Sequence, residues 1–215
     1  MARANLDNMD VKFYQDKGID YVRIMNAEIL FGSFRNFTGI DTKFPSVDAN
    51  GNPKRFFNIS IPYDYIQAFC DQGISVKFWR GGDSDEDGNE LLPGFTKVHI
   101  NYNYSIKPVV VVRNGEYNDD GSVNENWIEF TESTIGTLQR AEFDNVTLIL
   151  RIARGTTQFG KPYTSLYLDK AWITKHVEKP NMYEAEVYDY YGYKPTQNSQ
   201  QVNEPVSSDE PLPFA

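Results

Sequence analysis

Aromatic and basic residues fall together in short runs: Phe34-Arg35, Phe37, Lys43-Phe44, Lys54-Arg55-Phe56-Phe57 and Lys77-Phe78-Trp79-Arg80. Unpaired bases offer a π-face to stack on, worth roughly 1–3 kcal/mol per base, and their phosphates need cations. The chemistry these residue types support is therefore non-covalent capture of a single strand. Strand side chains alternate between faces, which divides the runs. In Ile74–Arg80, Ile74, Val76 and Phe78 share one face and Ser75, Lys77 and Trp79 the other, so Lys77 and Trp79 form the ligand-facing pair. In Lys54–Ile61, Phe57, Ile59 and Ile61 make the core set and leave Lys54, Phe56 and Asn58 exposed. The candidate nucleic-acid-binding set is Phe34, Arg35, Phe37, Lys43, Lys54, Arg55, Phe56, Lys77, Trp79, Arg80, Arg151, Arg154 and Lys161.

Signatures of catalysis are missing. The chain has no phosphate-cradling Gly-x-x-x-x-Gly-Lys and no His-Glu-x-x-His, and His99 and His176 have no acids or cysteines at ligand spacing. Asp83-Ser84-Asp85-Glu86-Asp87-Gly88 copies the first half of a calcium loop, but Gly94 stands where a bidentate glutamate is required. It reads as a solvated acidic hairpin loop. No catalytic residue, metal or cofactor is expected. The single cysteine, Cys70, reads as a core thiol.

These residues need elements to position them. Short β-branched and aromatic runs with alternation predict strands at Tyr21–Phe31, Arg55–Ile61, Ile74–Arg80, Phe95–Tyr104, Val109–Val112, Val146–Ala153 and Ser165–Thr174. Two helices are predicted, Pro62–Gln72 and Glu132–Arg140, the second with Thr131 as cap and Ile135 and Leu138 facing inward. The class is mainly β, an OB-type five-stranded barrel with added strands, one or two short helices and a disordered acidic C-terminal tail. The expected organisation is an N-terminal arm over 1–19, the barrel over 20–178 and the tail over 179–215. The chain shows no long apolar stretch, so no membrane contact is expected and the protein reads as soluble and cytosolic.

The net charge is −9, which taken as one number opposes phosphate binding. Its distribution matters more. Residues 181–215 hold six acids against Lys194, and the segment Asp83–Glu90 holds five acids without a base, leaving 20 basic and 19 acidic residues elsewhere. A neutral body can still present a basic groove.

The C-terminus reads Ser208-Asp209-Glu210-Pro211-Leu212-Pro213-Phe214-Ala215. It resembles the acidic tip of bacterial single-stranded DNA-binding proteins, in which acids precede Ile-Pro-Phe; here Ala215 displaces the terminal carboxylate by one residue. The resemblance implies partner binding through Asp209, Glu210, Leu212, Pro213 and Phe214. Across the body, Phe34-Arg35-Asn36-Phe37-Thr38-Gly39, Gly51-Asn52-Pro53-Lys54-Arg55-Phe56-Phe57, Gly73-Ile74-Ser75-Val76-Lys77, Asn145–Arg151 and Tyr163–Leu168 together resemble a bacteriophage family of single-stranded DNA-binding proteins with an OB fold. That resemblance implies a replication or recombination protein of the infected host cell's cytoplasm. Its partners would be single-stranded DNA and a polymerase, helicase or primase of phage or host. The alternative expectation is a structural β-barrel protein of a phage virion; single-stranded RNA is the alternative ligand.

Overall fold

The computed structural model describes residues 8–40, 47, 51–78, 93–113 and 126–176. All of them lie in one compact unit, Met1–Glu178. Lys43, Trp79, Arg80, the acidic segment 83–90 and the entire tail, with Asp209, Glu210, Leu212, Pro213 and Phe214, lie outside the described residues.

Among the described residues ten strands share one sheet: β1 (Asp10–Asp16), β2 (Ile19–Met25), β3 (Arg35–Asn36), β4 (Arg55–Ile61), β5 (Lys77–Phe78), β6 (Gly94–Ile100), β7 (Val109–Arg113), β8 (Trp127–Phe130), β9 (Phe143–Thr156) and β10 (Pro162–Lys175). The main path runs β1-β2-β9-β10-β6-β4-β3. The protein is mainly β, as the alternation predicts.

The path does not close through its ladders, yet β2 and β4 are joined by the chain leaving β2. Leu30 N–H bonds Asn58 C=O at 2.9 Å, Ser60 N–H bonds Glu28 C=O at 3.0 Å, and Ile29 bridges Ile59. The result is a partly open circuit of β2, β4, β6, β10 and β9 in which β6 and β10 run parallel. That connectivity is OB-like.

The core follows from period-two alternation. Phe57, Ile59 and Ile61 of β4 meet Val98 and Ile100 of β6, Leu148, Leu150 and Ile152 of β9, and Val22 and Ile24 of β2, all buried. In β10 the inward set switches from Leu166 and Leu168 to Ala171 and Ile173. The register slips at Asp169, so a bulge keeps the apolar side inward along all 14 residues. The same bulge lies where the free edge of β10 passes from β6 to β7, which pairs it over Lys170–Thr174.

Helix α1 (Tyr63–Asp71) starts behind Pro62 and puts Phe69 into the core against Phe13, with centroids 5.3 Å apart. Cys70 is exposed, contrary to the core assignment, because it lies one residue past Phe69 and about 100° around the helix. The second predicted helix is a 3-10 helix, Ile135–Arg140, with Ile135 and Leu138 fully buried. Thr131 does not cap it; the turn before it is held by Thr134 Oγ1, which accepts from Thr131 N–H.

One hairpin is absent from the sequence-derived strands. β1 falls inside the segment expected to be an arm and pairs with β2 along its full length. Lys17 and Gly18 connect them with φ of 49° and 78°, the pair of positive values that a type I′ turn requires. β8 and the short β3 are likewise additions to the predicted set.

Candidate nucleic-acid interface

β4 and β6 build the centre of the interface. The register sets Phe56 opposite His99, both on the outer face. Tyr167 of β10 is the next neighbour of His99, with ring centroids 5.4 Å apart. Arg151 of β9 lies opposite Tyr167, its guanidinium carbon 5.7 Å from the ring centre. Phe56, His99, Tyr167 and Arg151 thus form one row across four strands.

Cations gather beside this row. Lys97 carries its Nζ 4.2 Å above the Phe56 ring. Burial, followed by the fields of Lys77 and Lys54, holds the Lys97 amine below its ordinary pKa. His99 is pushed down by burial, then by Lys97 and Lys54. Three lysines therefore converge on one part of the sheet, and the imidazole among them favours its neutral, stacking form. Tyr167 is pushed up to about 12, first by burial and then by Tyr104, to which it is hydrogen-bonded, so its ring is neutral too. Where the row meets the segment after β6, Lys54, Tyr102, Tyr104 and Tyr167 help to line a groove of about 210 Å³.

A second aromatic lies on the same face of β10. Tyr163 packs against Gly155, where an added Cβ would come within 2.7 Å of the ring. Glycine there lets the ring cover the strand. In the β9–β10 turn, Phe159 is 80% exposed and Lys161 is exposed beside it.

The predicted residues separate into distinct groups. Lys54, Phe56, Lys77 and Arg151 come together on or beside the row, and Phe34 stacks edge-on against Phe95 at 5.5 Å on the neighbouring part of β6. Phe37 is buried against Phe57 and belongs to the core. Arg35 is 3% exposed, with its guanidinium carbon 4.3 Å from the Phe31 ring centre, and burial pulls its pKa down to about 10. Arg55 is tied to Glu132 at 2.7 Å. Arg154 pairs with Asp20 and Gln72 on the opposite face of β9 from Arg151. Two face assignments are corrected. Asn58 is buried, donating to Phe34 C=O because the chain before β3 covers that part of the outer face. Phe78 is 57% exposed, since β5 is only two residues long and pairs with β6 at its edge.

The strand predicted at Phe95–Tyr104 carries site residues that the adjacent runs do not reveal. Its alternate residues Lys97 and His99 escape a search for adjacent aromatic–basic pairs, as does Tyr163-Thr164-Ser165-Leu166-Tyr167. A search at spacing two finds Phe95, Lys97 and His99, whereas Tyr163 and Tyr167 lie four residues apart on one face of the strand.

No family model matches the chain, and no curated protein matches it. Solved structures do. The single-stranded DNA-binding protein of bacteriophage Enc34 is similar over 85% of this chain and 99% of its own, at 12% identity and a TM-score of 0.41. The same protein in complex with single-stranded DNA matches over 80% of this chain and 98% of its own, at 12% identity and a TM-score of 0.43. The single-stranded DNA-binding protein gp2.5 of bacteriophage T7 is similar over 91% of this chain and all of its own, at 9% identity and a TM-score of 0.32.

Proposed function

We propose that this chain binds single-stranded DNA, without catalysis, across the outer face of β4, β6 and β10. The observation that carries it is the row Phe56, His99 and Tyr167 with Lys54, Lys77 and Lys97 beside it. Neutral rings stack on bases of any identity while the ammonium groups replace counterions along the phosphates. β4 and β6 are the second and third strands of the OB circuit, whose shared face holds oligonucleotides in proteins of this fold. The site supplies positive charge and flat surface, with nothing shaped to read a base sequence.

The wider role we propose is protection of single strands during phage replication or recombination in the host cytoplasm. Partners would be recruited through Asp209, Glu210, Leu212, Pro213 and Phe214. An acidic, proline-stiffened segment with an aromatic near its end suits a basic, apolar pocket at low ordering cost.

The test is a titration with oligo-dT, duplex DNA and oligo-U over a range of salt. Tighter binding of oligo-dT than of duplex is expected, with a log–log salt slope of about −0.7 per neutralised phosphate. Equal affinity for duplex, or binding to none of the three, would overturn the proposal and leave a structural barrel. Tighter oligo-U than oligo-dT would move the ligand to RNA.

A further inference from the structure

The row of side chains does not stop at Arg151. On its far side Arg151 is registered with Tyr21 of β2, and Tyr21 with Tyr14 of β1. The two tyrosine rings stack at 5.5 Å with an interplanar angle of 18°. Tyr14, Tyr21, Arg151, Tyr167, His99 and Phe56 are therefore one continuous line across six adjacent strands, perpendicular to them. β1 is not part of the OB circuit; it is an added strand that extends this line by one position.

The charge around the far end is mixed. Lys12 is exposed on the face that carries Tyr14, opposite Arg23. Arg23 is paired with Asp10 at 3.1 Å, and Asp16 and Asp169 stand near the two tyrosines. Lys12, on the face of Tyr14, and Arg151, in the row itself, bring positive charge to this end, and Lys17 is exposed in the turn between β1 and β2.

Resting on the proposal that the β4–β6–β10 face holds single-stranded DNA, we infer that the strand runs crosswise over the sheet. It would leave Phe56 and His99, pass Tyr167 and Arg151, and end on the Tyr21–Tyr14 pair of the added hairpin, a second stacking platform. The five steps between strands, at about 4.8 Å each, span about 24 Å. That is roughly seven nucleotides at a stacked rise of 3.4 Å, and fewer if the strand is extended.

The pair Tyr14 and Tyr21 has a structural use as well, since cross-strand aromatics stabilise a hairpin. The experiment must separate the two uses. Oligo-dT of increasing length, from about 4 to about 16 nucleotides, is titrated against the full chain, the Tyr14→Ser/Tyr21→Ser variant and Lys12→Glu. The full chain is expected to gain affinity until the strand reaches β1. The double variant should bind the shortest strands as the full chain does and lose roughly tenfold on the longer ones. Lys12→Glu, an exposed change with no packing to lose, should flatten the salt slope on long strands by about 0.7 and leave short strands unaffected. If both variants bind long strands with unchanged affinity and slope, the strand does not reach β1 and the inference falls, while binding on β4–β6–β10 stands. If the full chain binds no length, both fall.

Discussion

Phe56 and Phe57 are adjacent in sequence and stand on opposite sides of β4, one beneath the Lys97 ammonium and one buried in the core. Phe56→Ala is expected to weaken oligo-dT binding by about 1–3 kcal/mol while the urea midpoint stays put. Phe57→Ala should instead cost about 3–5 kcal/mol of folding stability, because it leaves a cavity against Phe37. Parallel binding and urea titrations check both, and the reverse outcome would invert the faces of β4. His99 gives a second test. Its imidazole titrates at an ordinary 6.5 when unfolded and lower in the fold, through burial and then Lys97 and Lys54. As pH falls from 6.5 through the folded value, the unfolded chain takes up a proton that the folded chain resists, so this contribution to stability declines. Melting temperatures from pH 8 to pH 5 should therefore drop further in the native protein than in His99→Gln.

Among the elements, the 3-10 helix Ile135–Arg140 holds β3 in place through one side chain. Gln139 accepts from Phe37 N–H at 2.7 Å and donates to Arg35 C=O at 2.9 Å, spanning more than 100 residues of sequence. Both partners belong to buried residues. Gln139→Ala leaves a donor and an acceptor unpaired, at about 1–3 kcal/mol each if water cannot reach them. Urea denaturation should show a loss of about 2 kcal/mol or more, with single-stranded DNA affinity unchanged once the protein is folded. A loss under about 0.5 kcal/mol would mean that water replaces the amide.

For the whole molecule, the net charge of −9 coexists with a cationic row because the acids are concentrated elsewhere in the sequence. An acidic segment tethered to the same chain is expected to compete with phosphate for the lysines. Deleting Asn203–Ala215 removes three acids and should tighten oligo-dT binding at low salt, with the difference shrinking as the Debye length falls from about 30 Å at 0.01 M to about 8 Å at 0.15 M. Titrations of the full and shortened chains at both salt levels check it; an equal effect at the two would show that charge is not the cause.

Alternation in β4, β6, β9 and β10 determined the mainly β class, the core and the outward face of Phe56, because period two is a local property of the chain. α1 and the inward pair Ile135 and Leu138 were legible for the same reason. Burial of Arg35 and Phe37 was not, since it depends on Phe31, Phe143 and Gln139 arriving from distant segments. Nor was the pairing of Arg55 and Arg154, whose partners Glu132 and Asp20 lie 77 and 134 residues away. The β1–β2 hairpin has a local signal of the same kind, Val11 and Phe13 alternating with Lys12 and Tyr14 ahead of Lys17-Gly18. The row from Tyr14 to Phe56 belongs to the tertiary structure alone, because a line across six strands exists only once the five registers between them are set.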